Sequence, residues 1–214
     1  MSVSIRGLLT LGNGKVGEGI HVWSLPAILT CPGRTPTCTR ACYATKSRFR
    51  YPVVRQRLRW NWEQAQQPSF ADRMADEIRK KGCQVIRIHV SGDFATREYA
   101  EKWLWVMRHR PKPRYFFYTR SHRIPEIAPV LEQMAALKCC RAWYSIDKET
   151  GLPDRIPPGV RLAYLQTESD EEPELLDLRF VVRRLRKPTI GLPLLCPQEG
   201  GQAANCGDCK RCFT

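Results

Sequence analysis

Apolar positions along this chain recur at two alternating periods, and that alternation predicts the order of its elements. Gly19 to Leu25 (GIHVWSL) reads as a first strand, followed by a cysteine-bearing loop from Cys31 to Tyr43. Val54, Leu58, Trp62 and Ala65 then recur at helical spacing. Ser69 is placed to cap a second helix, with Asp72 three residues on, an apolar face of Phe70, Met74 and Ile78, and Gly82 at its end. Gln84 to Val90 (QVIRIHV) has the continuous apolar character of a buried strand, and Ser91-Gly92-Asp93 follows it. Thr96 can cap a helix whose inner face holds Tyr99, Trp103 and Val106. Arg114 to Thr119 (RYFFYT) is a third strand, and Pro125 opens a helix with Ile127, Leu131 and Met134 facing inward. Arg141 to Ile146 and Val160 to Gln166 are further strands; an acidic stretch from Glu168 to Asp177 separates them from Phe180-Val181-Val182. The chain shows no internal repeat and no low-complexity segment.

Strands alternating with helix-length crossovers predict an α/β fold with a parallel sheet. Six strands are too few for a closed eight-stranded barrel, so the expectation is a partial (β/α)6-type barrel or an open parallel sheet. Residues 1–187 form that core, and residues 188–214, rich in Pro, Gly and Cys, read as a loop-built C-terminal extension. In either architecture a ligand sits beyond the carboxyl ends of the strands. The Cys31–Cys42 loop, Ser91-Gly92-Asp93 and Thr119-Arg120-Ser121-His122 all fall at that rim, which predicts one site where they converge.

Composition narrows the chemistry. At 214 residues, with 43% hydrophobic and 26% charged residues, the chain buries enough surface to fold without disulfides. The first residues (MSVSIRGLLTLGNGKVGEG) resemble neither a signal peptide nor a targeting helix, and no apolar run nears the roughly 20 residues of a membrane span. The expected location is cytoplasmic, with no membrane partner. Ten cysteines in a reducing compartment point to metal or catalysis rather than to disulfides.

Seven of those cysteines form two sets. Near the C-terminus, Cys196-x9-Cys206-x2-Cys209-x2-Cys212 offers four thiolates, two of the steps being C-x-x-C. That spacing suits a closed [4Fe-4S] cluster; tetrahedral zinc is the alternative. Near the N-terminus, Cys31-x6-Cys38-x3-Cys42-Tyr43 offers three. Three thiolates on a four-iron cluster leave one iron open to cofactor or substrate, by the logic that separates catalytic from structural zinc. A zinc site completed by His21, His89 or His122 also fits the spacing. Cys83, Cys139 and Cys140 read as packing residues, although one of the adjacent pair could donate a missing ligand. His89 lies within a strand and reads as a core histidine.

These features resemble the radical S-adenosylmethionine (radical SAM) superfamily: a three-cysteine loop after the first strand, a Ser-Gly-Asp turn where that family has a Gly-Gly-Glu-like turn, and a six-unit β/α layout with a cysteine-rich tail. CPGRTPTCTRACYA, HVSGDF, YTRS and the terminal cysteines also resemble a small phage and bacterial iron–sulfur family of unsettled function. The superfamily loop usually reads C-x3-C-x2-C with an aromatic before the last cysteine, whereas Tyr43 here follows it, and Asp93 stands in place of Glu. The resemblance implies that Cys31, Cys38 and Cys42 hold a cluster whose open iron chelates S-adenosylmethionine. Ser91, Gly92 and Asp93 would then hold the methionine ammonium, and Arg120 and Ser121 its carboxylate or ribose.

The net charge of +14 favours a polyanionic partner, nucleic acid first. Arg40, Lys46, Arg48, Arg50, Arg55, Arg57 and Arg59 occur without an intervening acid, interleaved with Phe49, Tyr51, Trp60 and Trp62. Cations for phosphates beside aromatics for bases is a single-strand-binding pattern; a solvated helix face with core tryptophans, or cations compensating a thiolate-bound cluster, explains the same residues. Arg183, Arg184, Arg186 and Lys187 form a second run. The sequence thus favours a radical SAM-like enzyme with two [4Fe-4S] clusters, an electron donor and a nucleic acid or other polyanion as partner. An iron–sulfur protein that transfers electrons or binds nucleic acid without S-adenosylmethionine, and a zinc-stabilised nucleic-acid-binding module, are the rival readings.

Overall fold

The apolar runs pair side by side in the order in which they occur. A computed structural model describes residues 7–168, 175–182 and 194–214. Among the described residues its sheet has seven strands: β1 (Thr10–Leu11), β2 (Ile20–Trp23), β3 (Val85–Ile88), β4 (Arg114–Thr119), β5 (Cys140–Ile146), β6 (Val160–Gln166) and β7 (Leu178–Val181). Spatial order equals chain order, with β1 antiparallel to β2 and every other pair parallel. The sheet is open, as a partial barrel is. The strand beyond the six expected is β1, whose two residues face Val22 and His21 and are too few to print a pattern in the sequence. Most of the acidic stretch, the Arg183–Lys187 run and the 187/188 boundary lie outside the described residues.

Helices α1 (Pro36–Ala41), α2 (Pro52–Gln66) and α3 (Phe70–Lys81) connect β2 to β3. Helix α4 (Arg97–His109) connects β3 to β4, and α5 (Ala128–Ala135) connects β4 to β5. Gly82 ends α3 in the left-handed conformation, and Thr96 caps α4 by accepting from the Tyr99 backbone N–H at 3.2 Å. Two expected helix starts differ. Ser69 makes no capping hydrogen bond; Phe70 N–H instead donates to Gln67 O at 3.1 Å, so a backbone turn carried over from α2 starts α3. Pro125 lies in a turn before α5, and the proline in the first turn of that helix is Pro129.

Each strand divides its residues between two cores, because successive side chains point to opposite faces. Tyr115 and Phe117 of β4 join Trp23, Phe70, Met74, Ile86, Trp103 and Leu131 under the helices. Phe116 joins Val16, Ile20, Trp143, Ala163 and Leu178 on the other face, and there the cover is the C-terminal segment, through Cys196, Cys212 and Phe213. The described part of that segment includes a short helix, α6 (Cys206–Cys209), capped by Asn205. It is hydrogen-bonded into the sheet at Arg179, where Cys196 N–H donates to Arg179 O at 2.8 Å.

Tyr99 anchors a buried polar knot in the helical core. Its hydroxyl accepts from the indole N–H groups of Trp23 and Trp103, each at 2.8 Å, and lies 2.8 Å from His89 Nε2. With both indoles donating, the single phenolic proton goes to His89 Nε2, so this histidine is neutral and carries its proton on Nδ1. Burial pushes the His89 pKa down to about 3.

Candidate metal centre

The rim beyond the strands' carboxyl ends is built by backbone clamps. After β2 the chain turns at Leu25, whose N–H donates to Ser91 O at 2.8 Å while Ser91 Oγ donates to Leu25 O at 2.8 Å. Gly92 adopts φ +77, and a methyl group there would meet Leu25 Cβ and Thr30 Oγ1 at 2.6 Å each. Glycine is needed at that point both for its dihedral and for the closeness of the loop leading to Cys31. Gly33 fits the same logic on the other side, because a side chain there would collide with the Arg120 carbonyl. The three polar loops expected at one end of the sheet therefore pack directly against one another.

Asp93 fixes the third loop. Its Oδ1 accepts from Thr119 Oγ1 at 2.6 Å and Phe94 N–H at 2.8 Å; its Oδ2 accepts from the backbone N–H of Arg120 at 2.8 Å and of Ser121 at 3.2 Å. Desolvation raises the Asp93 pKa, opposed by these four donors. Arg120 is nearly buried and its Nη1 lies 2.8 Å from Asp147 Oδ2 as an ion contact. The five residues predicted for cofactor binding (Ser91, Gly92, Asp93, Arg120 and Ser121) thus come together, and the polar groups of Ser91, Asp93 and Arg120 are engaged in holding the rim.

Helix α1 carries the second of the three N-terminal cysteines. Thr35 caps it, accepting from Cys38 N–H at 2.9 Å and donating to the fully buried Asp147 at 2.7 Å. Glu149, two residues past Asp147, accepts from Thr37 Oγ1 at 2.6 Å and pairs with Arg40 at 3.2 Å. The turn after β5 therefore seats the helix. Asp147 went unmarked in the sequence because its partners, Thr35 and Arg120, are distant along the chain. Burial pushes the Cys31 thiol up to about 12, with the Asp93 carboxylate and the neighbouring Cys38 and Cys42 acting in the same direction. Burial also raises Cys38, against the pull of the Arg120 guanidinium. Cys31, Cys38 and Cys42 are thus electrostatic neighbours, and binding a metal there would release protons.

The C-terminal set lies on the second face. Cys206 and Gly207 donate their N–H groups to Lys15 O and Val16 O at 3.0 and 3.1 Å, which ties α6 to the loop before β2. Cys212 is held twice: Tyr118 Oη donates to its Sγ at 2.8 Å, and Trp143 Nε1 donates to its carbonyl at 3.0 Å. Burial pushes Cys212 up to about 11, with the Tyr118 hydrogen bond and Arg87 pulling it back and Cys206 and Cys196 adding to the rise. Arg87 of β3 points to the same face, its guanidinium 5.6 Å from the Tyr118 ring centre and 5.9 Å from that of Phe116. It lies within electrostatic reach of Cys206, Cys212 and Tyr43, and it makes no ion pair among the described residues. A half-buried cation without a counterion is unfavourable, and thiolate-bound metal would supply the missing negative charge.

All ten cysteines are free thiols. Among the described residues no three histidine, cysteine, aspartate or glutamate side chains stand in the arrangement that holds a metal ion. The donor sets suit thiolate-bound metal in kind, iron–sulfur or zinc: soft thiolates in two groups, one beside an arginine that makes no ion pair among the described residues. Cys83, Cys139 and Cys140 are buried in the helical core as small apolar groups. His122 stacks on Tyr144 at 4.1 Å between centroids, its Nδ1 is 3.1 Å from Thr119 O, and burial pushes its pKa down to about 4.

Of the basic segment, Arg40 is paired with Glu149, and Arg57 donates to Gly7 O and Leu8 O while lying over Trp60. Trp60 and Trp62 pack against the core. Lys46, Arg48, Arg50, Arg55 and Arg59 are exposed, as is Tyr51. Among the described residues no helix is long and apolar enough to cross a membrane.

The amino-acid sequence is similar to those of phage proteins. The chain is 28% identical to the Gene 88 protein of Mycobacterium phage L5 over 228 residues, covering 92% of this chain and 85% of that protein. It is likewise 28% identical to the Gene 88 protein of Mycobacterium phage D29 over 229 residues, with the same coverage. No solved structure matches it. The model of the family described as Gene product 88 matches residues 7–214, a span that takes in the rim and both cysteine sets, and the chain belongs to that family.

Proposed function

We propose that this chain is an iron–sulfur protein with two [4Fe-4S] clusters, radical SAM-like in layout, acting on nucleic acid or another polyanion in the cytoplasm. The observation that carries the reading is the meeting of the three-cysteine loop with the loops after β3 and β4 at the carboxyl end of sequentially ordered parallel strands. Cys31, Cys38 and Cys42 would hold the first cluster, and Cys196, Cys206, Cys209 and Cys212 the second. When bound and reduced, such a cluster supplies one electron.

The chain's own residues then position and shield. Asp93 locks the 119–121 turn against the cysteine loop, and Asp147 seats α1 through Thr35. In this reading Ser91, Gly92, Asp93, Arg120 and Ser121 frame a cofactor pocket, and the contacts that the resemblance assigns to the Asp93 and Arg120 side chains fall to backbone groups of the same loops. Arg87 would balance the charge on the C-terminal thiolates, and Tyr118 would hold Cys212 by donating a hydrogen bond to its Sγ.

The test is anaerobic reconstitution with iron and sulfide, followed by incubation with S-adenosylmethionine and a one-electron reductant. Formation of methionine and 5′-deoxyadenosine, lost in Cys31→Ala, supports the radical SAM-like reading. A coloured protein that leaves S-adenosylmethionine intact would reduce it to an electron-transfer protein, and a colourless protein with stoichiometric zinc would overturn it.

A further inference from the structure

In helices α3 and α4 five of the seven lysines and arginines are neutralised within their own helix. In α3, Arg79 and Lys80 pair with Asp76, and Lys81 pairs with Glu77. In α4, Arg97 pairs with Glu101 and Lys102 with Glu98. The segment from the turn at residues 47–50 into α2 departs from that habit. Arg48, Arg50, Arg55 and Arg59 are exposed, and none of them makes an ion pair among the described residues. Arg55 and Arg59 are four residues apart and so share a face of α2. Two aromatic rings accompany them: Tyr51 is 58% exposed and Tyr43 57% exposed.

Tyr43 joins this surface to the rim. It directly follows Cys42, its hydroxyl donates to Val90 O next to Ser91, and its ring packs edge-on against Phe49 at 5.8 Å. A chain of exposed cations and aromatics therefore runs from the solvent side of α2 to the edge of the cysteine loop.

We propose that Arg48, Arg50, Arg55 and Arg59, with Tyr51 and Tyr43, form a binding surface for single-stranded nucleic acid that leads to the Cys31–Cys42 rim. The arginines meet phosphates, and the exposed rings take unstacked bases, which a paired duplex keeps covered. Delivery to the rim rests on the proposed function; the surface itself does not, since none of its residues ligates metal in that reading.

The test is fluorescence anisotropy with a labelled single-stranded oligonucleotide, the matching duplex, inorganic polyphosphate as competitor, and anionic phospholipid vesicles. The full-length chain is expected to bind the single strand at least several-fold tighter than the duplex, with affinity falling as salt rises. Replacing the four arginines by glutamine should weaken binding more than tenfold and flatten the log–log salt dependence by roughly 0.7 for each phosphate no longer neutralised. Tyr51→Ala should weaken single-strand binding roughly tenfold and leave competition by polyphosphate unchanged. Thermal unfolding of each variant checks that the fold is intact. A Cys31→Ser/Cys38→Ser/Cys42→Ser variant that binds normally would show that the surface holds whatever the fate of the cluster reading. Equal affinity for duplex, preference for vesicles, or unchanged binding by the four-arginine variant would overturn the proposal.

Discussion

Single carboxylates and histidines carry much of this architecture. Asp93 supplies both oxygens to four donors around the 119–121 turn, so Asp93→Ala leaves buried N–H and O–H groups without partners. A loss of about 3 kcal/mol is expected in urea unfolding; a loss below about 1 kcal/mol would contradict the anchoring role. His89 and His122 shape the pH response. Their pKa values are lowered in the folded state, to about 3 and about 4, by burial. The unfolded chain therefore takes up protons below about pH 6.5 that the folded chain refuses, and stability falls as pH drops from there toward 4. Each histidine contributes a slope of up to about 1.4 kcal/mol per pH unit, present below the unfolded value and absent above it. Unfolding midpoints measured between pH 7 and pH 5 should fall more steeply for the native chain than for His122→Gln. Arg87 belongs to the same scale: if the C-terminal thiolates hold the proposed cluster, Arg87→Gln should lower its midpoint potential, Arg87→Lys should restore most of it, and equal potentials in all three would remove Arg87 from the charge balance.

At the scale of elements, what the sequence made legible was periodic or local. The buried runs at residues 84–90, 114–119 and 160–166 printed their strands, and Gly82 and Thr96 announced the end of α3 and the start of α4. The convergence of three rim loops followed from strand order alone, and Gly33 and Gly92 show how tightly it is realised. Ser69 misled, because a serine before an apolar face is only a potential cap and the backbone turn from Gln67 took its place. The seating of α1 was hidden, since it depends on Asp147 lying against Thr35 across 112 residues of chain. Thr35→Ala removes the α1 cap and one partner of Asp147 together. It should destabilise by about 1–3 kcal/mol and speed amide exchange in residues 35–42 ahead of the rest of the chain; uniform protection across the molecule would argue against a separately seated helix.

At the scale of the molecule, the sheet needs a cover on each face, and the two covers differ in kind. Helices α2 to α5 supply one through ordinary amphipathic patterning. The C-terminal segment supplies the other with few apolar residues of its own, chiefly Cys196, Cys212 and Phe213. Its sequence reads as a loop-built extension because nothing in its composition says which surface it meets. Phe116 and Trp143 on the sheet hold that information. Removing residues 194–214 should therefore uncover an apolar face and give a chain that binds a hydrophobic dye and aggregates; a soluble, dye-silent truncation would show that the second core is dispensable. Metal bound by the four thiolates would close that cover chemically, and its binding would then be coupled to folding.

In the proposed function, thiols from separated parts of the chain gather iron at two places. Iron and acid-labile sulfide measured per chain after anaerobic reconstitution address it most directly, with the native protein beside variants lacking either cysteine set. About eight irons are expected in the native chain and about half in each variant. Zinc in place of iron, or iron content unmoved by loss of either set, would contradict it.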